Sequence, residues 1–498
     1  MSDKILFFLD KDWIHFGIAK FLQDRYSCEL FAVVDLDKPS SAFFEEQHIV
    51  KFNKIWYYQD YIHKGDRKPD LEYLKNFELK YKINLWEIAY SERFFVHYNK
   101  FYKFEHDEIL YILERECRLF EEILQESKPN FLITKLTDSH QSHLLHMMCR
   151  SLGIKTLMLG WTRFGYRCAI YDEFDKFESL KSDTSQYKSR TADELLQFLQ
   201  SFHSSKAATP MISSKHTLFQ RIRKYVQHLI LLDRDYVQNY YPHYGKSRFK
   251  VMTKFTFMKR KLRRRFIDKN FLKNLPENSK FIYFPMHTEP ERALLLVAPY
   301  YTNQIEVITN IARSLPMGYK LYVKEHRAMA LAGWRDTSYY KQILDLPNVE
   351  LIHPFVNPDD LFKNCSIVIT IGGASGVEGA FYGKPSIVFA DVSYTILPTV
   401  KRMKNFDELP AAIRSLLEKQ TDPEQLSNYV DVVEENTFEI DLIGLVLAFQ
   451  EYFWEEFSTL KSGVSISKMN KFLEMHNSDF EKLAVEHIKK INMYKKSL

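Results

Sequence analysis

The chain has 498 residues, 45% of them apolar and 15% aromatic, which excludes a disordered protein and is too long for one core, so two domains and a helical appendage are expected. Five cysteines, Cys28, Cys117, Cys149, Cys168 and Cys365, lie scattered with no C-x-x-C pair, arguing against a disulfide framework or a zinc site and for a reducing compartment. The net charge is only +5, but Lys206 to Asn270 holds 17 Lys and Arg against 3 Asp, a local surplus of fourteen that leaves about −9 for the rest; such a basic surface calls for an acidic partner.

The amino terminus, MSDKILFFLDKDW, runs from Lys4 straight into a strand-like stretch interrupted by Asp10 and Asp12, unlike a signal peptide. Ile5 to Leu9 reads as a strand, Trp13 to Leu22 as a helix with Ile14, Ile18 and Phe21 on one face, and Leu30 to Val34 as a second strand. From Asp70 to about Ser127 the pattern is helical, with an apolar stripe through Ile109, Ile112, Cys117, Phe120 and Leu124, and Lys128-Pro129-Asn130 breaks it. Phe131 to Thr134 is then a strand, Ser139 to Leu152 a helix stopped at Gly153, and Lys155 to Leu159 another strand. Residues 1–175 therefore form a first α/β lobe.

Asp138, His140, His143 and His146 gather at the start of that helix. No H-E-x-x-H pattern completes a metal set, so the expectation is no metal: Asp138 or Ser139 caps the helix and one or two of the polar side chains face a cleft. Asp10, Asp12 and His15 form a similar cluster after the first strand.

Residues 176–275 carry no strand signal. Ser-, Thr- and Lys-rich stretches (Ser179 to Thr191, Ser201 to Ser214) flank the basic region, whose Lys259-Arg260-Lys261 and Arg263-Arg264-Arg265 runs are interleaved with Phe255, Phe257 and Phe266. A solvated helix face and an anionic membrane surface or lipid-linked acceptor both fit; nucleic acid is not expected, because no nucleic-acid motif accompanies the charge.

Strands restart at Lys280 to Phe284 and continue at Leu321 to Lys324, Val349 to Ile352, Ile367 to Ile371 and Ser386 to Ala390, β-branched runs bounded by turns and separated by helical spacing. Such runs are buried on both faces and joined by crossover helices, so a parallel sheet follows. This second α/β lobe spans 276–400, and 401–498 is mainly helical. The longest apolar run there, Leu442 to Phe449, is too short to span a bilayer. A cytoplasmic protein is expected, peripheral at the inner membrane if its basic stretch meets lipid.

Within the second lobe, Gly372, Gly373, Ala374, Ser375 and Gly376 separate a strand from a helix. Small residues there let backbone N–H groups approach phosphate. Ser375 and Glu378 also satisfy the S-x-x-E capping box, which would make the loop only a helix start. Lys324, Glu325 and His326 end one strand and His353 the next, the edge at which open α/β sheets bind ligands.

The segments FIYFPMHTEPE at 281–291, LVAPYYTNQIEVI at 296–308, SLPMGYKLYVKEH at 314–326 and ITIGGASGVEGAFYGKPSIVF at 369–389 resemble the bacterial capsule polysaccharide biosynthesis family, glycosyltransferases of the GT-B type that include the Kdo transferases building capsule lipid anchors. Arg327 stands where that family usually has proline, and Thr288 where an aromatic residue is common. The resemblance implies a GT-B-like α/β fold of two Rossmann-like lobes with parallel sheets, a helical insertion and a helical tail. It also implies a nucleotide-sugar in the cleft, held mainly by the second lobe, and metal-independent catalysis without a cofactor.

Departure of a nucleoside phosphate develops negative charge, and fixed donors beside it accelerate the reaction. Lys324 and His326 are the candidates, with His287, Glu289, Gly372, Gly373, Ser375, Gly376, Glu378 and His353 expected to bind substrate. Asp138 or His140 is the expected base for the acceptor, a glycan or lipid-linked glycan. The expected function is sugar transfer from a nucleotide-sugar to a growing surface glycan of the capsule or lipopolysaccharide type. Two alternatives are weighed: a nucleotide-sugar epimerase of similar fold, and a non-catalytic assembly protein binding glycan or lipid.

Overall fold

The computed structural model describes residues 2–36, 38–62, 68–97, 103–177, 188–201, 259–276, 279–330, 333–453 and 464–497. Most of the basic stretch, 206–258, with Phe255 and Phe257, and much of both flanking polar segments lie outside the described residues.

The first sheet has seven strands, β1 (Asp3–Leu9), β2 (Cys28–Val34), β3 (Lys54–Tyr57), β4 (Phe131–Lys135), β5 (Lys155–Trp161), β6 (Arg167–Tyr171) and, from far along the chain, β13 (Phe438–Glu439), in the order β13-β6-β5-β4-β1-β2-β3. β3 through β5 are parallel, whereas β6 and β13 are antiparallel additions. The period of two along β1 divides its side chains between two cores. Ile5, Phe7 and Leu9 join one, whereas Leu6 and Phe8 join the other.

The second sheet is wholly parallel, with β7 (Phe281–Pro285), β8 (Lys320–Lys324), β9 (Val349–Ile352), β10 (Ile367–Thr370), β11 (Ser386–Val388) and β12 (Val400–Arg402) in the order β12-β11-β10-β7-β8-β9. Its interior strands are almost fully buried, their central residues aliphatic or aromatic, as a sheet covered by helices on both faces requires. The fold is thus GT-B-like, with two Rossmann-like parallel sheets.

In both sheets the strand order reverses beside the first strand, between β1 and β4 in the first lobe and between β7 and β10 in the second. At such a point the flanking loops diverge and leave a crevice at the carboxyl ends of the strands. The loops after β7 and β10 therefore flank one crevice, although they are far apart in sequence. The same is true of the loops after β1 and β4.

The carboxyl-terminal helices return to the first lobe. Leu445, Phe449 and Phe453 enter its core, and the helix Asn477–Ser497 lies along Ile14–Arg25. Gly17 makes that approach possible: a Cβ there would stand 2.2 Å from the Phe480 ring.

Candidate active site

At the second switch point, His287 from the loop after β7 meets the glycine loop after β10. The Gly372 N–H donates to His287 Nε2 at 3.4 Å, and the Thr370 hydroxyl lies 3.2 Å from the same nitrogen while accepting the Gly373 N–H at 3.2 Å. An Nε2 that accepts a backbone N–H is unprotonated, so the ring is neutral with its proton on Nδ1. Burial, with the nearby His326, Arg163 and Arg335, agrees by holding its pKa down at about 3.

This arrangement changes the reading of the glycine loop. The N–H groups of Gly372 and Gly373 are already engaged, and those of Ala374 and Ser375 carry no partner among the described residues. The glycines answer to close packing. A Cβ on Gly372 would meet Ala390 at 2.7 Å, and one on Gly376 would meet the Tyr394 hydroxyl at 2.6 Å. The capping box is not formed: Ala374 holds the cap position of the short helix Ser375–Phe381, and no side chain caps it. Glu378, 8% exposed, lies near enough to Lys324 and Tyr283 to act on both electrostatically.

Lys324, the last residue of β8, is only 6% exposed, and among the described residues no carboxylate closes an ion pair on it. Burial lowers its pKa to about 8, reinforced by Arg327 and opposed by Glu325 and Glu378. Arg327, the departure from the family's proline, sits in a turn of 3-10 helix, Arg327–Ala330, and donates to the Pro354 carbonyl at 3.1 Å. His326 Nδ1 accepts the Ala328 N–H at 3.2 Å and faces the Thr288 hydroxyl at 3.0 Å; its proton therefore sits on Nε2, available as a donor.

Behind these groups is a buried network that sequence reasoning missed. Gln304, fully buried, accepts the His287 N–H at 2.7 Å and donates to the His287 carbonyl at 3.0 Å and to Glu289. Arg335 bridges Glu325 at 2.8 Å and Glu289, and donates to the His287 carbonyl. Tyr340 closes on Glu325 at 2.8 Å. Removing Arg335 would leave the fully buried Glu325 carboxylate without its counter-charge. The network fixes the path of the β7 loop and hence the position of His287. Glu289 belongs to this frame and also borders a cavity.

Two expected residues are placed elsewhere. His353 is at the far strand of the sheet, where its Nδ1 accepts the Phe355 N–H at 3.4 Å and Nε2 pairs with Asp268 at 3.0 Å; the strand order separates it from the glycine loop. His140 is fully buried in the first lobe, held between Glu92 and Glu116. Burial lowers and the two carboxylates raise its pKa, to a net value of about 10, so a proton already occupies it and it is not available as the acceptor's base. His143 and His146 turn to Thr137 and Thr156, at 3.3 and 3.1 Å. Ser139 occupies the helix cap, but its hydroxyl pairs with Ser142 at 2.9 Å.

The first lobe's own switch point gathers Asp10, Lys135 and Asp138. The Lys135 ammonium is 2.5 Å from Asp10 and 3.3 Å from Asp138. Burial and the Asp12 carboxylate raise the Asp10 pKa to about 6, with Lys135 opposing. The two lobes touch close to both sites. Arg292 donates to the Thr137 carbonyl and covers the Phe174 ring at 4.0 Å. Asp175 accepts from Arg163 at 2.8 Å and from the Ser393 N–H and hydroxyl at 3.1 and 3.0 Å.

Residues 183–400 match the model of the capsule polysaccharide biosynthesis protein family. The match extends upstream of the motifs quoted above, through the basic stretch. No curated protein matches the chain. Among solved structures, MnaA of S. aureus with UDP is 13% identical, covering 93% of this chain and 100% of its own, at a TM-score of 0.26. KpsC of Thermosulfurimonas dismutans, a beta Kdo 2,7 transferase, is 11% identical, covering 74% of this chain and 97% of its own, at 0.29. UDP-GlcNAc 2-epimerase of Methanocaldococcus jannaschii with UDP-GlcNAc and UDP is 11% identical, covering 86% and 98%, at 0.25.

Proposed function

We propose that this chain, whose residues 183–400 match the model of the capsule polysaccharide biosynthesis protein family, moves a sugar from a nucleotide-sugar to a growing surface glycan. The observation that carries the reading is Lys324. Burying a cation without a carboxylate partner is unfavourable, and the arrangement makes sense when an anion completes it. A donor phosphate seated between Lys324, the His326 Nε2–H and the open N–H groups of Ala374 and Ser375 supplies that anion. As the bond from the anomeric carbon to the leaving phosphate breaks, the same donors take up the developing charge. Glu378 accepts from the ribose hydroxyls.

On the first lobe, the acceptor hydroxyl lies beside Asp10 and Asp138. A carboxylate whose pKa is raised toward neutrality is a better proton acceptor than an ordinary one, and Asp10 fits. Lys135 holds both carboxylates in place. Transfer joins the acceptor oxygen to the anomeric carbon, with the hydroxyl proton passing to the carboxylate and the nucleotide leaving.

Calorimetry with UDP, CMP and GDP tests the first half of this reading, with one of them expected to bind. Nucleotide release from the matching nucleotide-sugars, with and without lipid-linked or oligosaccharide acceptors, tests the second. Release that requires acceptor is the expected result; conversion of the donor without acceptor would make the chain an epimerase, and no nucleotide binding at all would make it non-catalytic.

A further inference from the structure

Against the Gln304–Glu289 part of this frame lies a cavity of about 280 Å³, bordered by Glu289, Pro290, Leu294, Leu295, Thr302 and Tyr339, with His97 of the first lobe also in its lining. The proposed transfer assigns this cavity no role. Its chemistry is specific. Glu289 is fixed by Arg335 and Gln304, so the carboxylate is held in one place while keeping 29% side-chain exposure. The Arg335 guanidinium lies over the Tyr339 ring at 4.9 Å, which fixes that ring as well. Leu294 and Leu295 provide an apolar wall, and Thr302 a hydroxyl.

A preset carboxylate accepts paired hydroxyl donors, while a fixed aromatic face and aliphatic wall cover C–H groups. A pyranose presents both kinds of surface, and the cavity is of monosaccharide size, near the lower end for small-molecule sites. A phosphate would be repelled by Glu289, and a purely apolar ligand would leave that carboxylate without solvent. We infer that this cavity is a monosaccharide subsite, with Glu289 accepting sugar hydroxyls and Tyr339 lying against the ring. The inference rests on the proposed glycosyl transfer for its place in the reaction, and the ring comes either from the donor or from the acceptor glycan.

Two variants test it: Thr302→Trp, which fills space in the cavity, and Glu289→Gln, which keeps the shape but removes the charge. Both are first checked by thermal melts and circular dichroism, and the parent and any folded variant are carried on. If the ring is the donor's, the nucleotide-sugar loses at least tenfold in affinity in Thr302→Trp while the free nucleotide binds as to the parent. If it is the acceptor's, donor affinity holds and the KM for acceptor rises at least tenfold. The parent's nucleotide binding reports separately on the underlying function. Should the parent bind no nucleotide, saturation-transfer NMR with N-acetylglucosamine, galactose and glucuronate reads the cavity alone: transfer in the parent that is lost in Thr302→Trp supports the subsite, and absence of transfer in the parent overturns it. Unchanged donor affinity and unchanged acceptor KM in a folded Thr302→Trp protein overturn it as well. Where Thr302→Trp does not fold, Glu289→Gln decides by the same measurements.

Discussion

Tyr394 donates its hydroxyl to the Gly373 carbonyl at 2.6 Å, and the same hydroxyl stands where a side chain on Gly376 would begin. One phenol thus holds both ends of the glycine loop. Gly376→Ala should push the ring aside and cost about 1–3 kcal/mol, the usual range for overpacking. Tyr394→Phe leaves the Gly373 carbonyl only the longer bond from the Gly376 N–H, at 3.4 Å, and should cost about 0.5–1.5 kcal/mol, the usual net worth of one hydrogen bond. Because the two share one contact, the double variant should lose less than the sum. Thermal melts of the three proteins check this, and strict additivity would separate the two residues.

Lys324 predicts a pH dependence. Its folded pKa, about 8, lies below the ordinary lysine value of 10.5. Between those two values the unfolded chain retains a proton that the folded chain has shed, so this group's contribution to stability rises with pH across that window. A bound phosphate favours the ammonium and raises the pKa again. Nucleotide affinity should therefore fall as pH climbs above about 8, with proton uptake on binding near that pH. Calorimetry in buffers of different ionisation enthalpy measures the uptake, and Lys324→Met should abolish it without lowering the melting temperature at pH 7.

Ser375 and Glu378 are expected to separate stability from binding. Since Ser375 caps nothing, Ser375→Ala should change stability by less than the roughly 0.5–2 kcal/mol typical of a lost cap. Glu378→Gln should weaken nucleotide binding by about 1.5–3 kcal/mol, the range for hydrogen bonds to charged groups. A Glu378→Gln protein that binds like the parent would take the residue out of the site.

His140 predicts the opposite slope from Lys324. Its folded pKa, about 10, lies above the usual 6.5, so the stabilisation is complete below pH 6.5 and is lost as pH rises through 10. His140→Phe should flatten the fall in melting temperature over that interval, and an identical fall in the variant would assign the slope to other groups.

The helix over 259–270 splits the basic run into two roles. Arg263 is spent on the fold, donating to the Gly333 and Trp334 carbonyls and pairing with Asp336. Arg260, Lys261 and Arg265 are exposed beside Leu262. Replacing these three cations by Gln should weaken binding to anionic vesicles by about 1 kcal/mol for each residue that reaches the surface, whereas Arg263→Gln should lower stability. Unchanged vesicle sedimentation would reduce the exposed cations to a solvated face.

The strands that a sequence shows best are those buried on both faces, where packing leaves only β-branched and aromatic residues. Ile5 to Leu9, Phe131 to Thr134 and Ile367 to Ile371 are all legible for that reason, and the switch points follow from their order. Lys54–Tyr57, Val400–Arg402 and Phe438–Glu439 were not legible, being short, partly polar strands at or near sheet edges, which demand little of composition. Among site residues, Lys324, His326 and His287 stood out because each ends or follows a strand. Arg335 and Gln304 did not, since each sits at or beside a helix start and only the folded chain carries them to Glu289 and the His287 loop. His140 stood out for the converse reason: helical spacing groups it with His143 and His146, but separate partners fix each ring.

The first sheet takes its last strand from residues 438–439, and the helix Asn477–Ser497 covers Ile14–Arg25. During synthesis, then, the opening half of the chain leaves the ribosome with an apolar helix face bare and the β6 edge unpaired, a state open to aberrant association. The strands of the second lobe fall within 281–402, and its core is complete with residues up to Val433. The core of the second lobe can thus close before that of the first, which also draws on residues 440–494. A truncation before residue 438 would strip the first lobe of a strand and of part of its core and leave the strands of the second in place.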